Sequence, residues 1–166
     1  MDNLTGLAQR VGERLRRGRW RLTTAESCTG GWIAQEITAV AGSSEWFEYG
    51  FITYANRAKQ DLLGVPSTVL AQHGAVSEAT VRAMAVGALE RSAANFSIAV
   101  SGIAGPGGGS PTKPVGTVWL AWAAPNSQVR AREYHFSGDR QSVRHAAVAA
   151  GLHGLLDYVD EYSREP

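Results

Sequence analysis

The sequence predicts an α/β fold, a three-layer α/β/α domain around a mixed, mostly parallel five-stranded sheet. Three observations predict it. Runs of β-formers take turns with stretches of helical apolar spacing, glycines gather where strands end, and the last two strand-like runs are separated by only a short turn.

Leu4, Leu7, Ala8, Val11 and Leu15 recur at helical spacing behind Asp2 and Asn3, which can cap, so a first amphipathic helix ends near the basic stretch Arg14 to Arg21. With no interleaved aromatic platform, that stretch reads as a solvated helix face followed by an edge strand blunted by charge. Trp20, Leu22 and Thr24 alternate as a strand does. Ser27-Cys28-Thr29-Gly30-Gly31 then turns the chain into a helical pattern at Trp32, Ile33, Glu36 and Ile37. Tyr49 to Ala55 reads as a second strand, and a short helix around Ala58 to Leu63 is stopped by Gly64 and Pro66. Ser77 caps a longer helix with Val81, Met84, Ala85 and Ala88 on its apolar face. Phe96, Ile98 and Val100 alternate into a third strand that enters a loop with five glycines between Gly102 and Ser110. Val115 to Ala124 and Val129 to Phe136 form a hairpin around Pro125-Asn126-Ser127, and a last helix carries Val143, Ala146, Ala147, Ala150 and Leu155 on one face.

Composition narrows the function classes. The 166 residues fit one domain, 1–166, and no linker or repeat divides them. With 44% hydrophobic and 19% charged residues, and 16 Lys+Arg against 15 Asp+Glu, intrinsic disorder and a strongly electrostatic nucleic-acid binder both lose support. The single cysteine, Cys28, cannot make an internal disulfide, and four scattered histidines offer no zinc spacing, so no structural metal is expected. No apolar run approaches the roughly 18 residues of a membrane span, which predicts a cytoplasmic protein with no membrane partner. Five tryptophans on a small domain leave room for a homo-oligomer such as a dimer.

Three polar segments lie at strand ends, where α/β folds hold ligands. In the first, Thr24 to Gly31, a serine sits where the amides of the following helix are unpaired, so Ser27 is either a nucleophile beside an oxyanion site or, with Thr29, a plain helix cap over glycines that allow close packing. In the second, Tyr54 and Lys59 leave a strand end together. Lys59 is either an ordinary solvated lysine or the base of a Ser–Lys dyad, the latter requiring its pKa to fall from about 10.4 to about 7–8. The third, Ser101 to Ser110, is either a plain hairpin-like surface loop or a ligand loop with the composition of a phosphate cradle; it lacks the Lys-Ser/Thr ending of a Walker motif, which argues against ATP hydrolysis. Arg140 and Arg144, one turn apart at the start of the last helix, form either a phosphate clamp or a solvated face.

Thr24 to Gly31, Gly42-Ser43-Ser44 with Phe47, Tyr54 with Lys59, Leu63-Gly64-Val65, Gly74 to Ser77, Ser101 to Pro106, Lys113 to Val118 and Gly138-Asp139-Arg140 come in one order along the chain. Together they resemble the C-terminal domain family of competence-damage-inducible protein A, over about Leu4 to Tyr158. The resemblance implies the mixed α/β/α sheet and a nicotinamide-nucleotide amidase, which converts nicotinamide mononucleotide to nicotinate mononucleotide and ammonia by a reaction expected to need no metal or organic cofactor. It makes Ser27 the nucleophile and Lys59 its base, with Tyr54 and Thr29 in the surrounding hydrogen-bond network. Ser101 stands where the family often has threonine. Amides from Thr29 to Gly31 would hold the oxyanion, Gly102 and Gly105 would line the substrate, and Arg140 or Arg144 would meet its phosphate. Longer family members carry a preceding pyrophosphatase-like domain, so this chain reads as a stand-alone form. Two rivals stay open: a non-catalytic nucleotide-binding module, and a hydrolase of another small amide or a phosphoester.

Overall fold

The computed structural model describes residues 3–165. Its elements run α1 (Leu4–Gly18), β1 (Leu22–Glu26), α2 (Trp32–Thr38), a single 3-10 turn (Ser43–Glu45), β2 (Phe47–Ile52), α3 (Asn56–Leu63), α4 (Ser67–His73), α5 (Glu78–Glu90), β3 (Phe96–Gly102), β4 (Thr117–Ala123), β5 (Arg130–His135) and α6 (Arg140–Arg164). The sheet order is β2-β1-β3-β4-β5. β1 pairs in parallel with both β2 and β3, and β4 pairs antiparallel with β3 and with β5. Four strands therefore point one way and β4 alone runs against them, the hairpin supplying both antiparallel pairings.

The alternation of side chains across each strand separates two cores. Leu22, Phe96, Ile98, Val100, Leu120 and Trp122 face α1, α2 and α6. Ala25, Ala99, Ala121 and Ala123 face α5, with Leu63 and Leu70 of the two short helices. The alanines on this second face let α5 sit close to the sheet, and the Ser97 hydroxyl donates to the Ala85 carbonyl at 2.9 Å. Three caps follow the expected chemistry: Asn3 accepts from the Gly6 amide, Ser77 from Thr80 and Asp139 from Ser142. Asp2, the other cap candidate, lies outside the described residues.

Two local expectations need correction. β1 is an interior strand with all five residues buried, so Arg21 does not blunt an edge. The basic stretch is instead partly neutralised by Arg14–Asp160, Arg16–Glu45 and Arg21–Glu48 pairs. Pro66, read as a terminator, is the N-cap of a further helix, α4, whose one buried residue is Leu70. A helix with so small an apolar face gives almost no periodic signal.

The strand order reverses at β1, because the chain leaves it for β2 on one side and comes back to β3 on the other. The crevice beyond the C-terminal ends of β1, β2 and β3 is the topological switch point, where open α/β sheets bind ligands.

Candidate active site

Ser27 follows the end of β1, Ser101 lies near the end of β3, and Lys59 is brought to the same crevice by α3, the helix that follows β2. Lys59 comes from the first turns of α3, where it and Leu63, four residues apart, are the two buried residues of the helix. It is 1% exposed. Its Nζ donates to the carbonyls of Thr53 (2.8 Å) and Tyr54 (2.9 Å) and lies 3.0 Å from Ser27 Oγ. β2 was expected to reach Ala55 but ends at Ile52; Thr53 and Tyr54 leave the ladder and face the amine with their carbonyls. Among the described residues no carboxylate pairs with Lys59, and burial pushes its pKa below the ordinary lysine value.

Carbonyls only accept, so in the neutral amine they take the two N–H bonds and leave the lone pair for the Ser27 hydroxyl, whose other acceptor within reach is the Tyr54 carbonyl at the longer distance of 3.4 Å. Burial pushes the neighbouring Cys28 thiol up to about 12, so it stays protonated near neutrality and is a poor rival nucleophile.

The turn after Ser27 is organised by Glu26, a buried residue to which the sequence reading gave no role. Its carboxylate accepts from the Thr29 hydroxyl (2.5 Å), the Ile33 amide (2.9 Å) and the Ala34 amide (3.1 Å). It therefore caps α2 from inside the sheet, while Gly31, at φ 103°, occupies the N-cap position without a capping side chain. Desolvation raises the Glu26 pKa against the opposing pull of these donors. The plain-cap reading of Ser27 and Thr29 is thereby overturned, because neither hydroxyl bonds a helix amide.

A cavity of about 270 Å³ opens over the dyad. Ser27, Tyr54, Lys59, Ser101 and Arg140 line it, together with Val76 and the glycine loop including Gly102 and Gly105. Ser101 lines the cavity, and its buried Oγ has no hydrogen-bond partner among the described residues. Arg140 donates to the Gly105 carbonyl (2.7 Å) and to the Tyr54 hydroxyl (3.3 Å). The Tyr54 phenol is thus a rim group, 61% exposed, and what touches Lys59 is the Tyr54 carbonyl.

Thr29, Gly30, Gly31 and Arg144, also expected at the substrate, do not line the cavity. Thr29 faces Glu26, and the Gly30 amide is committed to the Ser27 carbonyl at 3.0 Å. Arg144 donates to the carbonyls of Cys28 (3.1 Å) and Thr29 (3.2 Å). The contribution of Val76, from the turn between α4 and α5, was missed because apolar loop residues carry no chemical signal. Among the described residues no group of three His, Cys, Asp or Glu side chains could hold a metal, and no helix is long and apolar enough to cross a membrane.

Comparison with known proteins matches residues 4–159 to the model of the CinA C-terminal domain. The chain belongs to the CinA C-terminal domain family. It is 56% identical over 156 residues to the nicotinamide-nucleotide amidohydrolase PncC of Pseudomonas putida, covering 94% of this chain and 97% of that one. The enzyme of the same name from Escherichia coli K12 is 53% identical, with 93% of each chain covered. Among solved structures, the competence/damage inducible protein CihA of Agrobacterium tumefaciens superposes with a TM-score of 0.92 at 46% identity, over 95% of this chain and 96% of that one. A CinA superfamily protein of Klebsiella pneumoniae gives 0.93 at 39% identity, over 96% and 99%.

Proposed function

We propose that this chain is an amidohydrolase that converts nicotinamide mononucleotide to nicotinate mononucleotide and ammonia through a Ser27–Lys59 dyad and an acyl-enzyme. The names of the relatives supply the substrate class. The observation that carries the mechanism is the buried Lys59 amine, 3.0 Å from Ser27 Oγ with its other two donors on carbonyls.

Neutral Lys59 takes the hydroxyl proton as Ser27 Oγ bonds to the carboxamide carbon. The amide of Cys28, a cavity-lining residue whose N–H donates to no carbonyl among the described residues, stabilises the oxyanion in place of the Thr29 to Gly31 amides first expected. The Lys59 ammonium then gives its proton to the nitrogen as the C–N bond breaks, and ammonia leaves. Water, deprotonated by the same amine, attacks the ester, releases the nicotinate carboxylate and returns the proton to Ser27. Ser101 offers its free hydroxyl to the carboxamide or to that water, and Arg140 at the rim meets the phosphate. Binding of the remote phosphate orients the amide, so free nicotinamide is a poor substrate.

The test is ammonia release from nicotinamide mononucleotide, with the product identified as nicotinate mononucleotide. Absence of ammonia, or release of phosphate instead, would overturn the reading and favour a binding module or a phosphoester hydrolase.

A further inference from the structure

The turn that carries Ser27 is gripped from two sides. From the sheet, Glu26 engages the Thr29 hydroxyl and the first amides of α2. From α6, Arg144 sends Nε to the Cys28 carbonyl at 3.1 Å, Nη2 to the Thr29 carbonyl at 3.2 Å and Nη1 to the Gln141 side chain at 3.1 Å. Its guanidinium also lies over the Trp32 ring, 5.3 Å from the centroid. All three guanidinium nitrogens are therefore engaged with groups of this chain, whereas Arg140, one turn earlier, reaches the cavity.

The planar trans peptide converts this grip into a constraint on hydrogen-bond donors, because its C=O and N–H point in opposite directions. Holding the Cys28 carbonyl toward Arg144 turns the Thr29 N–H away from it. The Ser27 carbonyl, held by the Gly30 amide at 3.0 Å, fixes the Cys28 N–H in the same manner. Of these residues Cys28 lines the cavity, and among the described residues its N–H donates to no carbonyl. We propose that Arg144 is a positioning residue for the deamidation, clamping the carbonyls of Cys28 and Thr29 so that Ser27 Oγ and the Cys28 N–H keep their places at the cavity wall, and that it is not a ligand of the substrate phosphate. The proposal rests on the acyl-transfer reading above and adds to it the group that orients the oxyanion site. Lysine keeps the charge but not the planar fork that reaches two carbonyls at once, so Arg144→Lys is the informative change.

The experiment measures kcat and KM for nicotinamide mononucleotide and for nicotinamide riboside with the parent, Ser27→Ala, Arg140→Ala and Arg144→Lys, below each protein's measured melting temperature. The expected result for Arg144→Lys is a fall in kcat of about tenfold or more on the mononucleotide with KM little changed, and a proportional loss on the riboside. Arg140→Ala instead raises KM for the mononucleotide alone. An Arg144→Lys enzyme that loses only mononucleotide affinity would make Arg144 a phosphate ligand and overturn the proposal. So would parental kcat with a lower melting temperature, which would mark a purely structural contact. If the parent is active and Ser27→Ala is not, such failures strike this inference alone; an inactive parent overturns the acyl-transfer reading and this inference with it.

Discussion

Lys59→Arg and Lys59→Met separate a base from a fixed cation at the one amine that reaches Ser27. In the folded chain Lys59 is buried, faces two carbonyls and has no carboxylate partner among the described residues, so its pKa lies below the ordinary value. General-base catalysis contributes about 10²–10⁴-fold, and each pH unit below the pKa reduces the neutral fraction a further tenfold. Arginine keeps the charge but does not deprotonate, so Lys59→Arg loses about 10³-fold in kcat/KM, close to the loss in Lys59→Met. The assay is ammonia release from the mononucleotide between roughly pH 6 and 11, a range that brackets the ordinary lysine value of about 10.4. For the parent, log kcat/KM climbs with a slope near one up to the depressed lysine pKa and is then flat; Lys59→Arg lacks this limb. Stability carries the same signature. Between the depressed pKa and about 10.4 the unfolded chain binds a proton that the folded chain does not, so Lys59 makes stability rise with pH across that window, by about 1.36 kcal/mol per unit of depression in total. Lys59→Met removes that slope. An arginine variant retaining more than about a tenth of the rate would refute the general-base assignment, since typical base contributions exceed that loss.

Arg140→Ala removes charge-assisted bonds worth about 1.5–3 kcal/mol, so kcat/KM for the mononucleotide falls about ten- to hundredfold while nicotinamide riboside turnover is nearly unchanged; steady-state kinetics on both substrates check it. Glu26→Ala orphans the Thr29 hydroxyl and the Ile33 and Ala34 amides, and at about 1–3 kcal/mol for each buried unpaired group it lowers stability by several kcal/mol, read by urea unfolding. Gly87→Ala drives a methyl into the Leu63 carbonyl where α3 and α5 cross, costing about 1–3 kcal/mol of stability in the same assay and shifting the helix that carries Lys59.

Much of this architecture was legible in the sequence because burial imposes periodicity. The alternation at Phe96, Ile98 and Val100 and the helical spacing of α1, α5 and α6 report which face meets a core, and the final hairpin follows from its short turn. The family resemblance, read over about Leu4 to Tyr158, matches the 4–159 span of the family model. What periodicity does not report is which element covers which. The interior position of β1 depends on pairing with β2 and β3 from distant parts of the chain, and α4 buries too little to leave a pattern. Lys59 was a partial case, since it shares an i, i+4 stripe with Leu63, a signal that the lysine points inward. Glu26 sat within a recognised motif, yet its role depends on amides seven and eight residues away. The carbonyls that orient Lys59 belong to Thr53 and Tyr54, and main-chain groups leave no signature in side-chain spelling. The i, i+4 spacing of Arg140 and Arg144 treated them as equivalent, but one faces the cavity and the other the nucleophile turn.

The central claim, that Ser27 activated by Lys59 attacks the carboxamide, is tested most directly by a single-turnover measurement with enzyme in excess over nicotinamide mononucleotide. Ammonia is followed in time, and the acid-quenched protein is weighed intact and as peptides. The account predicts ammonia release by the parent with a transient mass increase of one nicotinate mononucleotide acyl group on the peptide containing Ser27, and neither signal in Ser27→Ala. Parental ammonia release by Ser27→Ala, or an acyl group carried on Cys28, would contradict it.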